Sequence, residues 1–435
     1  MSSSPERIVI TARAPLNGTL RVPGDKSVSH RALMLAGIAR GTSTITGLSA
    51  GLDVKNTRTI MEALGVQIHE AADASGPSTG TLTVTGGALS EPSTVLDVGN
   101  SGTGARLLAG LCSGQEFLSI ISGDASISTR PMDRVTEPLR AMGASVDGRG
   151  EGRFTPLVIR GGHLHGIDYT PPVASAQVKS AILLAGLFAD GVTVVREKVP
   201  TRRHTEELLS EHGVTVKSET DDGGSSVIEL HPGAVEPGSF VVPGDPSQAA
   251  FWISAAAAIP GSDVTVENLY LAPERSGFLA VLLDMGADLE IDRAVGTVRA
   301  RGTELHGATV VASQMSDVID EVPALAVAGA FAVSGTLRFE AAGELRAKES
   351  DRIETVAAAI TALGGAVSTG PELLEVKAQP LGAGSIASHH DHRIAMAAAI
   401  AATGMPAGSN VEIDDWSCVA TSYPGFLDQL TSLVG

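Results

Sequence analysis

Aromatic residues are scarce in this chain and cysteines scarcer still, and the sequence has neither a basic surplus nor a long apolar run. Phe, Trp and Tyr make up 3% of 435 residues, while apolar residues together reach 43%. Such a core consists of Ala, Val, Leu and Ile, side chains that suit helices packed closely against sheets. Cys112 and Cys418 are the two cysteines. They exclude a disulfide framework and make a reducing cytoplasm the default compartment. Neither has a basic neighbour in sequence, so both read as buried, inert thiols. The apolar stretches from Pro323 to Val333 and from Ile394 to Thr403 are too short or too close to charges to span a bilayer, which takes about 20 residues. Met1 to Gly18 shows no apolar run behind a basic region, so neither a secretory signal nor a membrane role is expected. A formal net charge of −18 argues against nucleic acid, whose phosphates demand a basic stripe. An anionic small ligand stays compatible if the basic residues are gathered locally.

Glycine, by contrast, is abundant, and its placement is periodic. Gly65, Gly143, Gly213, Gly286 and Gly364 each follow an apolar helical stretch and precede a short β-branched segment. They recur at intervals of about 70 to 78 residues. Glycine just past a helix end takes the left-handed conformation without a Cβ penalty, so each mark ends a helix and launches a strand. Leu430 to Gly435 lies one period further along. The peptide Val-Pro-Gly-Asp also occurs twice, at Val22 to Asp25 and at Val242 to Asp245. Together these marks describe six copies of one α/β unit, three in each half of a duplicated chain.

The length predicts two or three domains, and the duplication favours two. Residues 21–241 form one, and residues 242–435, completed by residues 1–20, form the other. No flexible Ser/Gly linker separates them, so two short crossings forming a hinge are expected. Ile8 to Val22 reads as strands with a turn at Pro15 to Gly18, followed by a helix over Ser27 to Ile38 and a strand over Thr42 to Ile45. The same order returns as a helix over Ser247 to Ala258, a Pro260-Gly261 turn and a strand over Asp263 to Val266. Helix and strand alternate throughout, which is the pattern of the α/β class. Ala72 to Gly80 is the most loop-like stretch and reads as a surface turn.

The basic residues are indeed gathered, at helix starts. In PGDKSVSHR (Pro23 to Arg31), Lys26 and Arg31 flank the opening of a helix, where backbone N–H groups already favour an anion. Asp25 interrupts the Gly-Lys pair that a P-loop requires. The bland alternative makes Ser27 a simple helix cap. GNSGTGAR (Gly99 to Arg106) follows a strand, and its glycines would let a ligand approach the backbone. STRPM (Ser128 to Met132) and ASAQVKSA (Ala174 to Ala181) are two further polar turns ahead of helices. In the second half stand Asp320-Glu321, then Lys348 to Arg352, then Asp391-His392-Arg393. Lys348 and Arg352 are four residues apart and are expected on one helix face, which by itself is most often a solvated ion-pair face. The trio His389, His390 and His392 matches no metal-ligand spacing. The second Val-Pro-Gly-Asp leads into Pro246 and Ser247 and has no cation to offer.

These stretches in this order, with HTEELL, IDEVPALA, ELRAKESDR and DHRIAMA, resemble the enolpyruvyl transferase family along nearly the whole chain. The resemblance implies a two-domain inside-out α/β barrel, each domain of three βαβαββ repeats, with the active site in the cleft between the domains. It implies transfer of the enolpyruvyl group of phosphoenolpyruvate to the 5-hydroxyl of shikimate 3-phosphate, with phosphate released. By the same resemblance Asp320 is the base and Glu349 the proton donor to carbon, and Lys26 and His392 assist protonation and stabilise the tetrahedral intermediate. Shikimate 3-phosphate would meet Ser27, Arg31, Ser175, Ala176, Gln177, Arg202, Asp320 and Lys348. Phosphoenolpyruvate would meet Lys26, Gly102, Arg130, Gln177, Arg352 and Arg393, with Asn100 close by. No metal or organic cofactor is implied, and a monomer is expected because each half can bury its own core.

Three positions depart from the family pattern. Thr421 stands where many relatives carry a lysine that reaches the phosphoenolpyruvate pocket, which would shift load to Arg393. Leu107 replaces a common proline, and Arg203 a common acidic residue. Leu107 and Thr421 look like the herbicide-tolerant bacterial class, while Gly102 leaves room for the inhibitor glyphosate. Two other readings compete: a UDP-N-acetylglucosamine enolpyruvyl transferase, which usually works with a cysteine or an aspartate on a mobile loop, and a non-catalytic anion-binding relative. Cys112 lies in an apolar helix, and Asp320, Glu349 and Lys26 are all present, which disfavours both.

Overall fold

The five periodic glycines all have positive φ, from 81° at Gly213 to 108° at Gly143. Each closes a helix and opens a strand: Leu52–Ala63 leads through Gly65 to Gln67–Glu70, and Arg352–Ala362 leads through Gly364 to Ala366–Gly370. The computed structural model describes residues 6–13, 15–70, 80–220 and 224–434. Of the stretch Ala72 to Gly80, read above as a surface turn, only Gly80 lies within the described residues. The chain divides into two compact units, Gly24–Val242 and Met1–Pro23 with Pro243–Gly435.

In the unit Gly24–Val242, three helices lie at the centre: Lys26–Ile38, Gly102–Ser113 and Ala176–Gly186. Each is buried over nearly its whole length, because apolar or small residues predominate on all sides rather than along one stripe. Three four-stranded sheets cover them. Phe154–Arg160 alternates buried and exposed residues along its length, so one sheet face meets helices and the other meets solvent. Each sheet has the same order, an edge strand parallel to its neighbour and then two antiparallel pairings. This is the inside-out arrangement, helices within and sheets without.

The unit holding residues 243–435 repeats the plan around Pro246–Ala258, Val322–Phe331 and His392–Thr403. Most large aromatics collect here. Trp252 stacks on Phe426 with ring centroids 4.4 Å apart, and its indole N–H donates to Tyr423 Oη at 3.0 Å.

The two strands read within Ile8 to Val22 do not pair with each other. Arg7–Thr11 runs antiparallel to Asn410–Asp414, in the position that a hairpin strand holds in the other sheets. Asn17–Arg21 runs parallel to Asp263–Glu267, register Asn17 to Asp263. Ser239–Val241, just before the second Val-Pro-Gly-Asp, runs parallel to part of Gly41–Thr46, which follows the first by one helix. The strand ahead of each repeated peptide therefore completes a sheet built by the chain that follows the other copy. A parallel neighbour cannot be reached by a tight turn, so a distant segment has to supply it.

The central helices approach so closely that some positions admit no side chain. A Cβ added at Gly110 would lie 2.2 Å from the carbonyl oxygen of Ala181 on the adjacent helix. Gly110→Ala is expected to cost about 2 kcal/mol through forced separation of two backbones. Chemical denaturation checks this, and an unchanged midpoint would contradict the packing.

Candidate active site

Each central helix of the first unit starts with a side-chain cap. Asp25 Oδ1 accepts from Val28 N at 2.9 Å, Ser101 Oγ from Gly104 N at 2.9 Å, and Ser175 Oγ from Val178 N at 3.4 Å. Asp25 rather than Ser27 is thus the cap of the first helix, and Ser27 falls inside its first turn. An aspartate accepts this bond at least as well as serine, and two residues earlier than Ser27 it leaves Lys26 at the first helical position.

Around these starts the predicted residues are linked. Lys26 Nζ lies 3.0 Å from Asp53 Oδ2. Arg31, only 2% exposed, donates to Thr205 Oγ1 at 2.7 Å, Ser180 Oγ at 2.6 Å and Ser27 O at 2.8 Å. Arg130 donates to Asn100 Oδ1 at 2.5 Å, and Arg106 to Gln177 Oε1 at 2.7 Å. Gln177 Nε2 in turn donates to Thr103 Oγ1 at 2.9 Å. A Cβ on Gly102 would sit 3.0 Å from Arg106 Nη1 and 3.2 Å from Arg130 Nη1, so this bare helix start lies directly against two guanidinium groups. Arg202 is partly buried, in the segment between the strand Thr193–Glu197 and the helix His204–Glu211.

His30 joins the first two motifs and was not among the predicted site residues. Its Nδ1 lies 2.7 Å from Thr57 Oγ1 and its Nε2 3.2 Å from Ser101 Oγ. Burial, followed by the charges of Lys26 and Arg31, pushes its pKa down to about 3. The ring is therefore neutral and spans three segments without adding charge beside Lys26.

The second unit assembles carboxylates around one arginine. Arg352 is 1% exposed. It donates to Asp391 through Nε at 2.8 Å and Nη2 at 3.2 Å, to Glu349 Oε2 at 2.6 Å, and through Nη1 to Asp320 Oδ1 at 3.5 Å. Burial alone would lower the Arg352 pKa, but the charges of Asp391 and Glu349 raise it instead. For Asp391, burial alone would raise the pKa, and Arg352 brings it below the usual carboxylate range. Lys348 Nζ is 3.5 Å from Asp320 Oδ1, and Arg393 Nη1 donates to the Asp320 carbonyl at 2.8 Å. His392, 3% exposed, is the first residue of the helix His392–Thr403.

Lys348 and Arg352 do not share a helix face. Lys348 follows the 3-10 helix Ala342–Ala347, whereas Arg352 opens the helix Arg352–Ala362. Asp351 caps that helix through Glu354 N, which forces the break between them. They converge on Asp320 through the chain's turn rather than through helical spacing. The second Val-Pro-Gly-Asp also has its cation, borrowed from elsewhere. Buried Arg275 donates to Asp245 Oδ1 at 2.8 Å and to Ser247 Oγ at 3.1 Å, and lies 3.9 Å from Glu321 Oε1. Nothing near residue 245 announces Arg275. Asp391 had a signal, being the cap position directly ahead of His392.

The whole length of the chain can be compared with known proteins. It matches EPSP synthase (3-phosphoshikimate 1-carboxyvinyltransferase) over residues 10–430. The chain belongs to the EPSP synthase family. A 3-phosphoshikimate 1-carboxyvinyltransferase from Thermus thermophilus is 47% identical over 430 residues, which are 96% of this chain and 97% of the relative. The EPSP synthase structure from Acinetobacter baumannii superposes with a TM-score of 0.84 at 39% identity, covering 99% of this chain and 98% of that one. The enolpyruvyl transferase NikO from Streptomyces tendae, at 17% identity and a TM-score of 0.79 over 98% of this chain and 97% of that one, shares the fold.

Within this EPSP synthase family chain the cysteines are chemically quiet. Burial pushes the Cys112 thiol up to about 11 and that of Cys418 up to about 12, so neither is a thiolate near neutrality. Thr421, at the position of departure, donates to the Cys418 carbonyl at 2.7 Å. Among the described residues no group of three or more His, Cys, Asp or Glu could hold a metal ion, and no helix is long and apolar enough to cross a membrane.

The buried neutral His30 makes stability pH-dependent. The unfolded chain takes up a proton near pH 6.5 and the folded one only near pH 3. Between those values the unfolded state binds more protons, so stability falls as pH drops below about 6.5 and is flat above it, with roughly 2 kcal/mol lost by pH 5. Denaturant titrations across that range should show the slope, and His30→Asn should flatten it. An equal slope in the variant would remove His30 from this role.

Proposed function

We infer that this chain transfers the enolpyruvyl group of phosphoenolpyruvate to the 5-hydroxyl of shikimate 3-phosphate and releases inorganic phosphate, a step toward aromatic amino acids. The observation that carries the assignment of roles is the Arg352 cluster, in which Asp320 and Glu349 meet one buried guanidinium. Two carboxylates tied to a common cation suit a reaction that removes a proton at one atom and adds one at another.

Asp320 accepts the proton of the 5-hydroxyl as its oxygen attacks the substituted carbon of phosphoenolpyruvate. Glu349 delivers a proton to the methylene carbon in the same addition, giving a tetrahedral ketal phosphate. Expulsion of phosphate with loss of a methyl proton restores the double bond. Lys26 and His392 supply positive charge and hydrogen bonds to the intermediate. Ser27, Arg31, Ser175, Ala176, Gln177, Arg202 and Lys348 hold the shikimate phosphate. Gly102, Asn100, Arg130, Arg352 and Arg393 hold phosphoenolpyruvate. Helix starts capped by Ser101 and Ser175 favour these anions over a neutral ligand. The chain acts as a cytoplasmic monomer, because each unit has its own apolar core.

Phosphate release from the two substrates tests the activity directly, and release no greater than without acceptor would reject it. Asp320→Ala is expected to abolish turnover while shikimate 3-phosphate still binds within roughly tenfold. Unchanged turnover would take Asp320 out of the base role.

A further inference from the structure

Two residues beyond Gln177, the helix Ala176–Gly186 buries a lysine whose charge has no part in the chemistry above. Lys179 Nζ lies 2.9 Å from Glu197 Oε2, at the end of the strand Thr193–Glu197, and 2.7 Å from Glu206 Oε1, in the first turn of the helix His204–Glu211. The three side chains are no more than 3% exposed. Glu206 meets the ammonium as a charge, without an aligned hydrogen bond. The third oxygen around the ammonium is the Thr201 carbonyl, at 3.3 Å.

Burying three charges is costly, and apolar side chains of the same volume often pack as stably. Stability therefore does not account for the cluster. What it does hold is Thr201. The Thr201 N–H donates to Glu197 Oε2 at 3.2 Å, its hydroxyl donates to Glu197 Oε1, and its carbonyl accepts from Lys179. Arg202 is the next residue. On its other side, Thr205 Oγ1 lies 2.7 Å from both Arg31 Nε and Ser180 Oγ. The segment that carries Arg202 is thus fastened at both ends to the helix that starts at Ser175 and to Arg31.

We propose that Lys179 is a positioning residue for recognition of the phosphorylated acceptor: through Glu197 and Thr201 it sets Arg202 against the helix start at Ser175. This rests on the acceptor reading above. Without the clamp the segment that carries Arg202 has to be ordered at each binding event, so the cost falls on acceptor affinity and not on the chemical step.

Steady-state kinetics with each substrate varied, together with hydrogen exchange of residues 198–203 in the free protein, test the clamp in Lys179→Met, Lys179→Arg and Thr201→Val. Lys179→Met should raise KM for shikimate 3-phosphate roughly tenfold, leave kcat and KM for phosphoenolpyruvate within about twofold, and speed exchange in the segment. Lys179→Arg should restore most of that KM. Thr201→Val, which removes one hydroxyl and no charge, should raise the same KM about threefold and carries the test if Lys179→Met does not fold. Equal losses in both KM values and kcat, unchanged exchange, or faster exchange with unchanged KM would each overturn the proposal. Failure of the acceptor reading would show separately, as a parent protein that releases no phosphate with this acceptor.

Discussion

A helix buried on every side leaves backbone groups unpaired only at its ends. Lys26–Ile38, Gly102–Ser113 and Ala176–Gly186 are in that position, and so are their counterparts Pro246–Ala258, Val322–Phe331 and His392–Thr403. Their sides demand small apolar residues, which accounts for a chain rich in alanine and glycine and poor in aromatics. Their first turns demand acceptors for N–H groups that have no helical partner. Asp25, Ser101, Ser175, Asp245 and Asp391 answer that demand. Lys26, Gly102, Gln177 and Arg393 all lie within two residues of such a cap, so the chemistry sits where the fold already requires polarity.

The charges buried around these helices come in closed groups. Lys179 stands between Glu197 and Glu206, Arg275 between Asp245 and Glu321, and Arg352 among Asp391, Glu349 and Asp320. An isolated ion at such depth would be strongly disfavoured, whereas a cation ringed by carboxylates keeps its charge. The groups also join distant parts of the chain, as Arg352 does for residues 320 and 391. An acidic protein can in this way present fixed positive groups to anions while its overall charge stays at −18.

The repeat was legible because its grammar is local. A glycine past a helix end is required by the turn itself, and Gly65 through Gly364 announce six units before any contact is known. Helix starts were legible for the same reason, although the choice between Asp25 and Ser27 as cap was not, since both residues can accept the bond. Pairings were far less legible. Nothing in Asn17–Arg21 says that its partner is Asp263–Glu267, and nothing near Asp245 points to Arg275. His30, which reads as an ordinary residue of an apolar helix, owes its place to Thr57 and Ser101 arriving from two other segments.

The sequence alone determined the α/β class, the sixfold period, the buried apolar helices and the polar turns that begin them, because each depends on residues a few positions apart. Only the tertiary structure decided which strand completes which sheet, that Lys348 reaches Asp320 from outside the helix that Arg352 opens, and which carboxylates surround Lys179 and Arg275. Those outcomes depend on how closely backbones approach and on the need to neutralise charges at depth. Both constraints act between segments far apart in the chain.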